Sequence, residues 1–268
     1  MVRTEAGLER VRMKREELLE EAKPILFNTD MVRAILDGRK TETRRVIKLK
    51  YDNTHHEIKT DKYGTRLIEI QDDVKGETFG IREDGTSWRK IRPYIEPKAP
   101  YKKGDILYVR ETWGISNLNY DEKVGYIVYK ASESEKYEGC RAVKLPEDKF
   151  EKLYDSMAEN NPDWRPSIHM PKEAARILLK VKDVRVERLK DMTDKDALNE
   201  GAQGVKCDHA GLGAYGCTDC MNTGWLEPPI LEFMGIWDST IKKSDLDRYG
   251  LDANPWVWVI EFERMTEE

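Results

Sequence analysis

The sequence predicts an α+β fold, and three kinds of stretch carry that prediction. Short apolar or alternating runs, at Ile25 to Phe27, Ile106 to Trp113 and Trp256 to Phe262, read as strands. Two short segments read as helices, each opened by a capping residue and closed by a glycine: one after Asn28 that stops at Gly38, one from Thr193 to Gly201. Turn residues separate further alternating segments between residues 51 and 100, the pattern of β-hairpins. Strands and short helices packed around one core form a single α+β domain.

Residues 1–23 are dense in Glu, Lys and Arg, with Leu8, Val11, Leu18 and Leu19 at helical spacing. They predict a charged helix resting loosely on the domain. PILFNTDMVRAILDGRKTETRRVIKLK follows, read as strand, helix, glycine stop, basic loop and strand. Asn28 or Thr29 caps that helix, Asp30 suits its first turn, and Gly38 supplies the left-handed residue that ends it. ILYVRETW alternates Ile106, Tyr108, Arg110 and Thr112 against Leu107, Val109, Glu111 and Trp113. Trp113 beside Arg and Glu makes this strand end a candidate site lining. Residues 124–131 predict another strand, and 133–163 an insertion with a short helix near Phe150 to Met157.

In DWRPSIHMP two prolines predict a stiff extended segment with Arg165, Ser167 and His169 on one side. Arg165 and His169 are therefore candidate substrate contacts. Residues 173–189 predict one or two strands. Thr193 with Asp196 predicts a capping box for a helix over 194–200, with Glu200 in its last turn, where the dipole opposes a carboxylate. Leu231, Met234 and Trp237 predict the buried stripe of a helix over 229–241. Trp256, Trp258, Ile260 and Phe262 oppose Val257 and Val259, which predicts a central strand covered on both faces.

Charged residues make up 36% and hydrophobic residues 39%, with a net charge of −5, so nucleic-acid contact requires a local basic patch. No apolar run reaches the ~20 residues of a membrane span, and the N-terminus lacks an apolar signal core. These features predict a cytoplasmic protein with no membrane partner.

The basic patch is Arg39, Lys40, Thr41, Glu42, Thr43, Arg44 and Arg45. Neighbouring positive charge and burial both lower a lysine's pKa, which would make Lys40 a base toward Thr41 or Thr43. The arginines equally suit phosphates or base stacking, and charge runs are commonly solvated turns. Spacing alone leaves base, phosphate clamp and solvated turn open. Cys207, His209, Cys217 and Cys220 follow a C-x-H-x7-C-x2-C spacing. Thiolate and imidazole are zinc's preferred ligands, and four of them make a closed structural site. Only Cys140 lies outside that cluster.

GRKTETRR after a short helix, KGDILYVRE and WVWVIEF together resemble the ASCH domain of the PUA-like superfamily, from about Pro24 to Arg264. WRPSIHMP and NPWVWVIEF are similar to the larger phage-type ASCH proteins. The resemblance implies a PUA-like mixed β-barrel with flanking helices. Its domain would span 24–268 after the N-terminal helix, with the zinc-binding insertion at about 201–229. The common signature G-x-K-x-x-E-x-R is met at Gly38, Lys40 and Arg45, but Thr43 stands where Glu is usual. That departure matches the ASCH enzymes that hydrolyse acetylcytidine, which carry G-R-K-T-x-T-x-R and a glutamate on a later helix. LKDMTDKDALNEG aligns to them without a gap and places Glu200 on that glutamate. The resemblance implies an amidohydrolase with Lys40 as base, Thr43 as nucleophile, Glu200 as acid/base, and Arg39 and Arg45 holding the loop or substrate. The alternative is a non-catalytic module that binds RNA or a modified base. The small amidohydrolases lack the cysteine-rich insert.

Overall fold

A computed structural model describes residues 15–48, 54–61, 64–71, 78–81, 87–90, 94–95, 97–132, 140–157, 164–208, 220 and 223–265. Among them the chain is a mixed α+β structure of several sheets. In order, helix α1 (15–21) leads to β1 (Lys23–Leu26), α2 (Thr29–Leu36) and β2 (Glu42–Val46). Three small hairpin and edge pairings follow from β3 (Thr54–Asp61), β4 (Gly64–Gln71), β5 (Thr78–Ile81), β6 (Ser87–Lys90) and β7 (Tyr94–Ile95). Next come β8 (Ile106–Arg110), β9 (Trp113–Asn119), β10 (Val124–Tyr129), β11 (Arg141–Lys144) and α3 (Glu147–Met157). The last third holds β12 (Leu178–Arg188), α4 (Asp194–Asn199), β13 (Val205–Lys206), β14 (Trp225–Glu227), α5 (Pro229–Thr240), α6 (Leu246–Tyr249) and β15 (Trp256–Arg264).

The centre is a five-stranded sheet of order β1-β8-β12-β15-β2. β1 runs parallel to β8, and the other pairs are antiparallel. β15 lies between β12 and β2, the doubly covered strand expected. Val257 and Val259 face a cluster with Phe233 and Trp237, while Ile260 and Phe262 face one with Ile25, Phe27 and Val32. Leu19 and Ala22 pack into a third cluster with Tyr108, Trp113 and Phe150, and Arg15 donates to the Ala175 carbonyl. The N-terminal helix is thus seated in core rather than resting loosely; Leu8 and Val11 lie outside the described residues.

Four expectations change. No sheet closes into a barrel among the described residues: β1 and β2 remain edges of one open sheet. Arg45 of β2 bridges toward β1 by side chain, donating to the Leu26 carbonyl at 3.0 Å. The basic loop is a strand from Glu42 onward, paired with β15 from Glu42↔Glu261 to Val46↔Val257. Spacing alone left the fate of its charges open, because the Arg44 partners Glu187, Asp196 and Glu200 lie on or beside β12 and α4, remote in sequence. Ser167–His169 is a 3₁₀ turn, closed by Met170 N–H donating to Ser167 O at 3.1 Å, so the three side chains do not alternate on one side. In α5 the buried residues are Pro229, Phe233 and Trp237, at i, i+4 and i+8, whereas Leu231 is 58% exposed. The helix buries the side facing β15, so of the expected stripe Trp237 is buried, Met234 is half-buried and Leu231 is exposed, with Phe233 taking the inner position.

Candidate active site

Two short elements build the site. Asn28 caps α2 through its side chain, which accepts from Met31 N–H at 2.9 Å. Gly38 then turns the chain at φ +74. Arg39 and Lys40 N–H both donate to Ala34 O, at 2.9 and 3.0 Å, which holds Lys40 beneath the helix. Far along the chain, Thr193 and Asp196 form the expected capping box of α4, whose C-cap is Glu200. Thr41 N–H donates to Asn199 O at 2.7 Å and joins the two elements. Gly201, at φ +100, completes the junction. A Cβ there would lie 2.8 Å from the Ala34 Cβ and 3.3 Å from the Lys40 Cβ. Only a glycine allows that approach in that backbone conformation.

Lys40, whose side chain is fully buried, places Nζ 2.5 Å from Glu200 Oε2 and 2.8 Å from the Glu200 carbonyl. Burial holds Lys40 below the ordinary lysine range; Glu200 pulls the other way, and Arg45 and Arg44 add to the depression. Arg44 and Arg45 therefore act in the expected direction, with desolvation the largest cause. Arg45 Nη1 donates to Thr43 Oγ1 at 2.8 Å. Strand alternation separates two faces of β2. Thr43 and Arg45 lie on one, with Arg45 and Lys40 over the Phe27 ring at 5.4 and 5.7 Å. Glu42 and Arg44 lie on the other, 3.7 Å apart.

Thr43, Arg44, Arg45 and Glu200 line a cavity of about 260 Å³, opposite Phe233, Ile236 and Trp237 of α5. It sits at the seam between the two edge strands, with Leu26 of β1 also in its wall. A larger hollow of about 960 Å³ lies between α1 and β11, but Lys40, Thr43 and Glu200 are all outside its lining.

Thr43, Arg45 and Glu200 share the cavity lining, and Lys40, outside that lining, is bonded to Glu200; the other candidates lie elsewhere. Arg39 donates to Gly201 O at 2.6 Å and pairs with Asp37 at 3.3 Å, clasping the junction outside the cavity lining. Trp113 is 1% exposed in the core cluster with Ile115 and Phe150. Arg165 stacks over Trp113 at 5.5 Å and bridges to its backbone. His169 is exposed at the 3₁₀ turn. Arg44 was grouped with possible phosphate ligands; its side chain is fully buried and reaches Glu42, Glu187, Asp196 and Glu200 within 3.9 Å. The alternation of Glu42 with Arg44 was its available signal. The α5 wall was signalled by the i,i+4 pair Phe233 and Trp237.

Of the four cysteine and histidine candidates, Cys207 and Cys220 are described, and His209 and Cys217 lie outside the described residues. Cys207 N–H donates to Gly224 O at 3.0 Å at the end of the β13–β14 hairpin. Thr223 N–H and Oγ1 both donate to Cys220 O, at 2.9 and 2.7 Å, closing a tight turn.

No protein-family model matches the chain, and no curated protein or solved structure matches it. Among the described residues no helix is long and apolar enough to cross a membrane.

Proposed function

We propose that this protein is an ASCH-type, PUA-like amidohydrolase that removes an acyl group from the exocyclic amine of a cytidine-type nucleoside or a related modified base. The observation that carries the reading is the meeting of Lys40 and Glu200, 160 residues apart in sequence and 2.5 Å apart in space, at a cavity that Thr43 and Glu200 both line. Its volume falls just below the ~300–1,000 Å³ of common small-molecule sites, a size suited to a nucleoside rather than a folded polymer.

Moving the shared proton across the Lys40–Glu200 contact converts an ion pair into a neutral amine and a carboxylic acid. Burial favours the neutral amine of Lys40, which can act as base while Glu200 relays a proton across the contact. Lys40 then accepts the Thr43 hydroxyl proton as Oγ1 attacks the acyl carbon. Arg45, 2.8 Å from Oγ1, donates to the oxygen on which negative charge develops. Glu200 gives its proton to the departing exocyclic nitrogen as the C–N bond breaks. Water, deprotonated by the same machinery, next cleaves the Thr43 ester and releases the carboxylate. The rival, an RNA or modified-base binding module, has less support. Arg39 and Arg44 are bonded to the protein's own carbonyls and carboxylates instead of being held out for phosphate.

Purified protein should release acetate from acetylcytidine. Thr43→Ala should remove that activity without unfolding the chain, while Thr43→Ser keeps part of it. Absence of turnover on every acylated pyrimidine tested would sink the reading.

We also propose structural zinc on Cys207, His209, Cys217 and Cys220. Three thiolates and one imidazole are a tetrahedral zinc donor set, and the support for it is their C-x-H-x7-C-x2-C spacing. Protein purified without added metal should carry about one zinc per chain, and Cys217→Ser should lower metal content and melting temperature together. An unchanged melting temperature in metal-free protein would argue against it.

A further inference from the structure

Glu200 is held from both sides: Lys40 takes Oε2 at 2.5 Å, and Arg44, from the opposite face of β2, takes Oε1 at 3.3 Å. The two partners differ in kind. An ammonium group can give up a proton, whereas a guanidinium cannot do so near neutral pH. We infer that Arg44 is a positioning residue which engages Oε1 of Glu200 and so directs proton exchange to Oε2, the oxygen facing Lys40. The inference rests on the amidohydrolase reading for its catalytic meaning, though not for its geometry.

Arg44 is itself tied down. Its Nη2 reaches Glu187 at 3.4 Å and Asp196 at 3.9 Å, and its Nη1 reaches Glu42 at 3.7 Å. Arg185 of β12 ties the same three carboxylates together, contacting Glu187, Glu42 and Asp196 from 2.5 to 3.9 Å. These contacts join β2, β12 and α4, the elements that carry Thr43 and lead into Glu200. Charge also reaches the pair from Arg45, beyond Thr43 on the same strand. A guanidinium with this many anchors has little freedom to rotate, so the orientation of the Glu200 carboxylate is set before substrate arrives. Preorganisation of this kind acts on turnover more than on affinity.

The test is a pH profile with a double-mutant cycle on the full chain, using acetylcytidine. Arg44→Met should lower kcat near neutral pH by about ten-fold or more while KM changes by less than about two-fold, as expected for an interaction that acts in the transition state. Removing the nearby positive charge also lets Lys40 hold its proton more tightly. The alkaline-rising limb of kcat should therefore move to higher pH, and activity should partly recover there. On a Glu200→Gln background, Arg44→Met should cost little more, because the residue acts through that carboxylate. Equal losses in both backgrounds, or a profile lowered without a shift, would overturn the inference in favour of a purely structural Arg44. If Arg44→Met fails to fold, Arg44→Lys serves. It keeps the charge but lacks the fork, and should lose part of the rate with little pH shift; full wild-type rate would count against the proposal. Should wild type show no turnover, the titration of Lys40 followed by NMR in wild type and Arg44→Met separates the two ideas. An altered Lys40 titration supports the Arg44 geometry even as the substrate reading fails, and an unaltered one rejects it.

Discussion

Glu111 and Glu200 are both buried carboxylates with cationic partners, and of the two only Glu200 has a partner able to exchange a proton. Glu111, 1% exposed, has both oxygens bound by Arg176 at 2.8 Å, and that guanidinium also donates to Ser132 and stacks 4.2 Å from the Tyr129 ring. Burial pushes the Glu111 carboxyl up, and Arg176 opposes the shift. The fork is saturated and the partner cannot deprotonate, so the pair is a strut between the residue that follows β8 and the segment leading into β12. Glu200 divides its oxygens between Lys40 and Arg44 and faces a cavity. Burying a charge pair is not enough for chemistry; a partner that can lose its proton and room for a substrate are also required.

The largest expected effect comes from making the second pair like the first. Lys40→Arg keeps the charge beside Glu200 but removes the exchangeable proton. Acetate release should fall by about 10² to 10⁴, the usual contribution of proton transfer, with the circular dichroism spectrum retained. Activity equal to wild type would show that Lys40 is not the base.

Breaking the strut should do the opposite. Arg176→Met leaves Glu111 buried without its partner, which typically costs about 3–5 kcal/mol. Chemical denaturation should show that loss, while kcat per folded molecule stays near wild type. A selective fall in kcat would mean that the two regions are coupled.

The smallest effect concerns stability against pH. Lys40 is held below the ordinary lysine range in the folded protein, so the unfolded chain binds more protons between the lowered value and that range. Stability contributed by this residue therefore rises with pH across that window and is least below it. Lys40→Met should flatten the alkaline part of a melting-temperature profile, whereas Arg176→Met should leave its slope unchanged. A parallel profile for Lys40→Met would contradict the depressed lysine.

Much of this was legible in the residues, because it depends on neighbours in sequence. Asn28, Gly38 and the Thr193–Asp196 box mark helix ends by local hydrogen bonding and backbone freedom, and each stands where expected. Alternation in Trp256 to Phe262 marks a strand covered on both faces, since side-chain direction follows period two. What the sequence could not decide was where charges find their partners. GRKTETRR leaves base, phosphate clamp and solvated turn open until Glu187, Asp196 and Glu200 arrive from about 143 to 160 residues away to pair with its charges. Trp113, Arg165 and His169 carry site-like chemistry locally, yet packing assigns Trp113 to core and leaves His169 on the surface. Even the choice of Phe233 over Leu231, beside the expected Trp237, as the cavity-facing wall depended on which side of α5 met β15. Caps, turns and alternation are short-range physics written in adjacent residues; desolvation and charge pairing are long-range, and only the folded chain sets them.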